Sequence, residues 1–144
     1  MALLPHKALL AIAVVIDVAL QGEGRPVSAK TLAARHGLPP RHLENMLQSL
    51  VRDGILKGIR GPRGGYELAR DRTRVTANDI LRAAAGTVDG LADGSGSEIM
   101  DKVVLPALSA AEAEFGSALS RINLADMTHQ AESLGRAADN EPQS

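Results

Sequence analysis

In the segment PRHLENMLQSLVRDG, the hydrogen-bonding side chains of Arg41, Asn45, Gln48 and Arg52 follow one another at spacings of four, three and four residues. At about 100° per residue, that spacing puts all four on one side of a helix. Arg, Asn and Gln carry paired donors and acceptors that match guanine and adenine edges in the major groove of duplex DNA. A solvated helix face is polar too, so the meaning of this row depends on the element that carries it. The second candidate is RGPRGGYELAR, Arg60 to Arg70, which packs three glycines and a proline between arginines. It could cradle a nucleotide phosphate, form a basic hairpin tip that grips a nucleic acid backbone, or be a plain structural turn of Gly and Pro. A phosphate cradle needs a glycine-rich turn between strand and helix, commonly followed by Lys and then Ser or Thr. Here the loop lies between two strand-like segments, and Gly-Lys-Ser/Thr occurs nowhere. Arg60 and Arg63 favour the basic tip over the plain turn.

Other chemistries find little support. The 144 residues include no cysteine, which removes disulfides, thiolate zinc sites, cysteine nucleophiles and clusters held by thiolates of this chain. The four histidines, His6, His36, His42 and His129, lack any paired i, i+4 spacing, so no metal site is signalled. His42 is read as a groove-facing residue and His36 as a helix C-terminal residue favoured by the macrodipole. No combination points to hydrolytic catalysis, and no enzyme activity is expected.

Charge is distributed unevenly along the chain. The total is −1, but residues 25–82 hold twelve Lys or Arg against five Asp or Glu, a net +7, whereas residues 83–144 hold three against ten, a net −7. A basic middle joined to an acidic segment suggests a polyanion-binding module attached to something with another task. The apolar run Ala8 to Ile16 has the length of a signal-peptide core. Lys7 is the only early cation, however, Asp17 interrupts the run, and no small-residue cleavage site follows before Gln21. A packed amphipathic helix is the expectation, and the run is too short to span a membrane.

The elements that would position these residues follow from local signals. A helix is predicted from Pro5 to Gln21, ended by GEGRP. A second starts at the N-cap Ser28 and stops at Gly37, and a third begins at Pro40. Two helices joined by a short turn containing Gly have helix-turn-helix spacing. In the third, Leu43, Met46, Leu47, Leu50 and Val51 form the apolar stripe opposite the polar row. ILKGIR and GYELA are short strands around GPRGG. Thr76 and Asp79 then form a capping box, flanked by Val75 and Ile80 as a hydrophobic staple, and open a helix to about Ala85. The sequence 87–97 is rich in Gly, Ser and Asp and is expected to be a flexible loop. A capping box at Ser95 and Glu98 would open a long amphipathic helix to about Asn123, bent at Pro106, with Ile99, Val103, Val104, Leu108, Ala111, Phe115, Ala118, Leu119 and Ile122 on one face. A second copy of the chain is its economical partner. The organisation expected is thus a winged helix-turn-helix domain over 1–86, the loop over 87–97, a dimerisation helix with a short following helix over 98–132, and a disordered tail over 133–144.

From Val27 to Gly86 the sequence resembles the Rrf-type bacterial transcription regulators, a family that includes iron–sulfur-cluster, nitric-oxide and cysteine-metabolism regulators. The carrying features are Leu43-Glu44, the helix end at Asp53-Gly54 and the wing RGPRGGYELA, with a weaker match in the first helix and in INLADM near Ile122. The resemblance implies a mainly α fold with a small β-hairpin, and a cytoplasmic homodimer joined through residues 98–123. It also implies that the dimer binds a roughly palindromic operator in double-stranded DNA as a repressor. By matching positions, Arg41, His42, Glu44 and Asn45 would face bases, Arg60 and Arg63 would sit on the wing in the minor groove, and the helix start at Ser28 would face a phosphate. Lys30 and Gln48 complete the expected contact set. Sensor members carry three cysteines near the loop after the fourth helix, and the corresponding stretch here has none. A cluster-free member is therefore expected, answering to a metabolite, a partner protein or no direct signal. The alternative is a protein-interaction module that has kept the winged fold and lost operator recognition, with the acidic helix as its docking surface.

Overall fold

A computed structural model describes residues 4–22, 24–84 and 97–139. Among these the order is α1 (His6–Gln21), α2 (Ala29–His36), α3 (Pro40–Arg52), β1 (Leu56–Ile59), β2 (Gly65–Leu68), α4 (Ala77–Ala84), α5 (Leu105–Ser120) and α6 (Leu124–Asp139). Helix α1 is the hub. Its Ala- and Val-rich face buries Ala11, Val14, Val15 and Val18, and it packs against α2, α4, α6 and β2. With almost no aromatic residues available, this small-residue face is what lets four elements approach one helix closely. The apolar run near the N-terminus is thus core, as its interruption by Asp17 suggests.

The local signals act as expected in the first half. The hydroxyl of Ser28 accepts the Thr31 N–H at 3.1 Å, and Gly37 closes α2 in the left-handed region at φ 61°. Pro39 and Pro40 start α3, where missing N–H groups leave no bond unmade. Leu43, Met46, Leu47 and Leu50 are buried, but Val51 is partly exposed. Eight residues beyond Leu43, Val51 lies about 80° further round the helix, at the edge of the stripe. The hairpin pairs antiparallel from Leu56–Leu68 at its root to Ile59–Gly65 near its tip. Thr76 N–H donates to Asp79 Oδ2 at 3.0 Å and Asp79 N–H to Thr76 Oγ1 at 3.1 Å, the reciprocal capping box, with Val75 and Ile80 fully buried beside it.

The C-terminal half follows expectation less closely and departs from it after Ser133. Ser95 lies outside the described residues, as do 87–96 of the expected loop. The side-chain cap seen here is Ser97, whose hydroxyl accepts the Met100 N–H at 3.2 Å. A π-helical turn, Met100–Val104, precedes α5, and the Leu105 N–H bonds Met100 O five residues back. This wider turn accommodates Pro106, which lacks the N–H that a regular helix would direct to Lys102 O. Finally, the chain does not fray at Ser133, because α6 continues to Asp139. Residues 140–144 of the expected tail lie outside the described residues. The polar letters of ESLGRAAD mask good helix formers, which extend a helix already nucleated at Asn123. Asn123 Oδ1 accepts the Ala125 N–H at 2.7 Å, while its Nδ2 donates to Thr73 O at 2.8 Å. Backbone bonds from Leu124 N–H to Val75 O and from Ala77 N–H to Ile122 O, both 2.8 Å, return the chain to the domain, so that Leu124 and Thr128 are buried.

Candidate nucleic-acid interface

Helix α3 presents its polar row outward. Arg41, Asn45, Gln48 and Arg52 are exposed, as are the neighbouring His42 and Glu44, while the opposite face is fixed in the core by four buried apolar residues. The expected contact set is accessible apart from Ser28, which is half-buried because its hydroxyl caps α2. What Ser28 leaves for a phosphate is the group of unbonded backbone N–H donors in the first turn of α2.

The cations divide into two groups. Arg35 is held by Asp17, with Nη1 to Oδ1 at 2.6 Å; Lys57 lies 3.8 Å from Glu67, Arg52 3.8 Å from Asp53 and Arg72 3.4 Å from Glu132. Arg70 donates to the backbone carbonyls of Gly54 and Asp53 at 3.0 and 2.9 Å. By contrast Lys30, Arg41, Arg60 and Arg63, and with them Arg25, Arg74 and Arg82, make no ion pair or side-chain hydrogen bond among the described residues. The basic residues singled out by sequence on α2, α3 and the hairpin tip are therefore uncommitted. Arg52, counted with the polar row, leans towards the end of its own helix.

The glycines of RGPRGG serve the hairpin itself. At the tip Gly61 adopts φ 120°, and its carbonyl accepts the Gly64 N–H at 2.9 Å. Gly65 has a different task, because a Cβ there would stand 2.4 Å from the carbonyl carbon and oxygen of Val27. Its absence allows Val27 to join β2 through Val27 N–H to Tyr66 O at 3.0 Å and Tyr66 N–H to Val27 O at 2.8 Å. This glycine thus enables approach to the protein's own backbone just before α2, where the sequence suggested approach to DNA. Beyond the hairpin, hydrogen bonds from the Thr73 hydroxyl (2.6 Å) and then its backbone N–H (2.9 Å) hold the Asp71 carboxyl below the usual carboxylate range.

Sequence reasoning missed one buried polar cluster. Asp17, within the apolar helix α1, receives both Arg35 and, at 3.0 Å, His36 Nε2. His36 is thus a partner of a buried carboxylate, beyond its place at the helix end. The only signal was a lone acid inside an apolar run.

A helix-turn-helix and a hairpin tied to Val27, just before its first helix, form a winged-helix arrangement. The Rrf2 family profile, described as an iron-dependent transcriptional regulator, matches residues 4–130. The chain belongs to the Rrf2 family. A helix-turn-helix-type regulator of Synechocystis sp. is 32% identical over 132 residues, covering 90% of each chain. The Escherichia coli regulator IscR is 31% identical over 86 residues, or 60% of this chain and 53% of IscR, so there the chain spans about half the length of its relative. Among solved structures, IscR of T. potens superimposes with a TM-score of 0.70 at 28% identity over 98% of this chain and 93% of that one. CymR of B. subtilis gives 0.65 at 25% identity over 88% and 96%. This Rrf2 protein is a DNA-binding transcriptional regulator with the winged-helix fold expected from its sequence. No described helix is long and apolar enough to cross a membrane.

Proposed function

We propose that two copies of this Rrf2 regulator bind a near-palindromic operator and repress transcription in the cytoplasm. Each copy lays α3 in the major groove, with Arg41, His42, Glu44, Asn45 and Gln48 towards base edges, and the wing arginines Arg60 and Arg63 in the adjacent minor groove. Lys30 and the start of α2 engage phosphates. The observation that carries this reading is the exposed polar row of α3, accompanied by Lys30, Arg41, Arg60 and Arg63, all exposed and engaged by no ion pair or side-chain hydrogen bond among the described residues. Two copies are supported by α5, none of whose residues is buried although Leu105, Leu108 and Phe115 are apolar.

A cysteine-held iron–sulfur cluster does not fit this chain, since its sequence supplies no thiolate. Control then falls to a metabolite, to a partner protein or to no direct signal. The reading is tested by selecting bound DNA from a random pool, then measuring affinity against salt. Three cations per copy that offset backbone charge, Lys30 at a phosphate and Arg60 and Arg63 in the minor groove between the two strands' phosphates, give six per dimer and a slope of roughly −5 in log affinity against log salt, at about −0.9 per phosphate neutralised. Half-sites should recur about one helical turn apart, roughly 34 Å. Absence of binding at low salt would refute the operator reading and leave the interaction module.

A further inference from the structure

We propose that Arg70 is a positioning residue for operator binding: it sets the wing relative to α3 without touching DNA. The inference rests on the operator reading above. A hairpin of two four-residue strands has little stability of its own, so its direction must come from tethers at its root. On one edge the tether is Val27, paired with Tyr66. At the root, Ala69 N–H donates to Ile55 O at 2.9 Å, and Arg70 follows immediately.

The Arg70 guanidinium spans three elements. Nε donates to Gly54 O at 3.0 Å and Nη2 to Asp53 O at 2.9 Å, so the fork holds two consecutive carbonyls just past the end of α3. Those carbonyls lie at the negative end of the helix dipole and have no helical partner, which is why a cation belongs there. Nη1 stands 3.9 Å from Asp79 Oδ2, the carboxylate that also caps α4. The turn between them is made by Gly54 at φ 76°, with no side chain to stiffen it. One planar group thus fixes the angle between the helix that reads bases and the strand that carries Arg60 and Arg63. Lysine keeps the charge but, as a point charge on a flexible stem, lacks the planar fork that fixes the direction of both bonds.

The test is a double-substitution cycle in full-length protein on a selected operator duplex, with circular dichroism confirming the fold of each variant. Arg70→Ala is expected to lower the salt slope by up to the share of the two wing arginines, roughly 1.8 units per protomer. In that background Arg63→Ala should cost much less affinity than it does in the native protein, while Arg41→Ala keeps its full effect. Arg70→Lys should fall between native and Arg70→Ala, and decides the matter if the alanine variant does not fold. Two results would overturn the inference: a native salt slope in the folded variants, or fold-losses for Arg70 and Arg63 that simply multiply, as they would if Arg70 only stabilised the domain or held a phosphate itself. If the native protein binds no duplex, the operator reading fails; native binding with multiplicative losses removes only the role of Arg70.

Discussion

Replacing Gly65 by alanine should separate the wing from the helix-turn-helix. The new Cβ would lie 2.4 Å from Val27 C and O and 2.7 Å from Ser28 N, where ordinary contact begins at 3.4 Å, so one backbone must retreat by about 1 Å. Neither neighbour is the end of a flexible side chain. The retreat stretches the Val27–Tyr66 pair of 3.0 and 2.8 Å beyond bonding range. Two such bonds contribute about 1 kcal/mol each, and the overpacking adds roughly 1–3 kcal/mol. A loss of about 3–5 kcal/mol corresponds to a Tm lower by roughly 10–16 °C in a domain of this size. Gly58→Ala is the matched control, because it lies in the same hairpin and a Cβ there meets nothing within 4 Å. The assay is thermal unfolding followed by far-ultraviolet circular dichroism at fixed protein concentration. If the two variants melt within about 2 °C of each other, the close approach of β2 to Val27 does not hold the wing, and the reasoning fails.

Other outcomes follow from the same geometry. Arg41→Ala should relax base preference at a cost of about 1–3 kcal/mol on the preferred site, whereas Arg63→Ala should weaken binding to all sequences evenly; unchanged preference in a selection with Arg41→Ala would remove that residue from the readout. Leu108→Glu, on the exposed face of α5, should convert a dimer to a monomer by light scattering without unfolding α1 to α4, and a dimer of unaltered affinity would exclude this face. Asp71 has a folded pKa below its ordinary value of 3.8, so its stabilisation is complete above that value and is lost as the pH falls through the lower folded value. Asp71→Asn should accordingly flatten the dependence of Tm on pH in acid, and an identical dependence in both proteins would count against the Thr73 contacts.

Much was legible because it is local. Ser28, Gly37, Pro40, Gly54 and the Thr76–Asp79 box act within three or four residues of themselves, so their letters suffice to place α2, α3 and α4. The apolar stripe of α3 likewise determines which face is free, and hence that Arg41, Asn45 and Gln48 look outward. The unbroken family signature over the wing made the fold class readable as well. Where local composition conflicted with long-range docking, the sequence misled. The polar residues after Ser133 read as a tail, yet α6 is nucleated by Asn123 and by backbone bonds to Val75 and Ala77, nearly fifty residues away.

Tertiary structure alone decided which charges are spent. Twelve cations between residues 25 and 82 look alike in sequence, and only the fold shows Arg35 given to Asp17, Arg72 to Glu132 and Arg70 to the carbonyls behind α3. It likewise assigned Gly65 to the protein's own backbone, where the letters suggested DNA. The physical reason is the same in each case. Helix caps and periodicity are set by neighbours along the chain, whereas an ion pair or a missing Cβ acquires its meaning from whatever folding brings within about 4 Å.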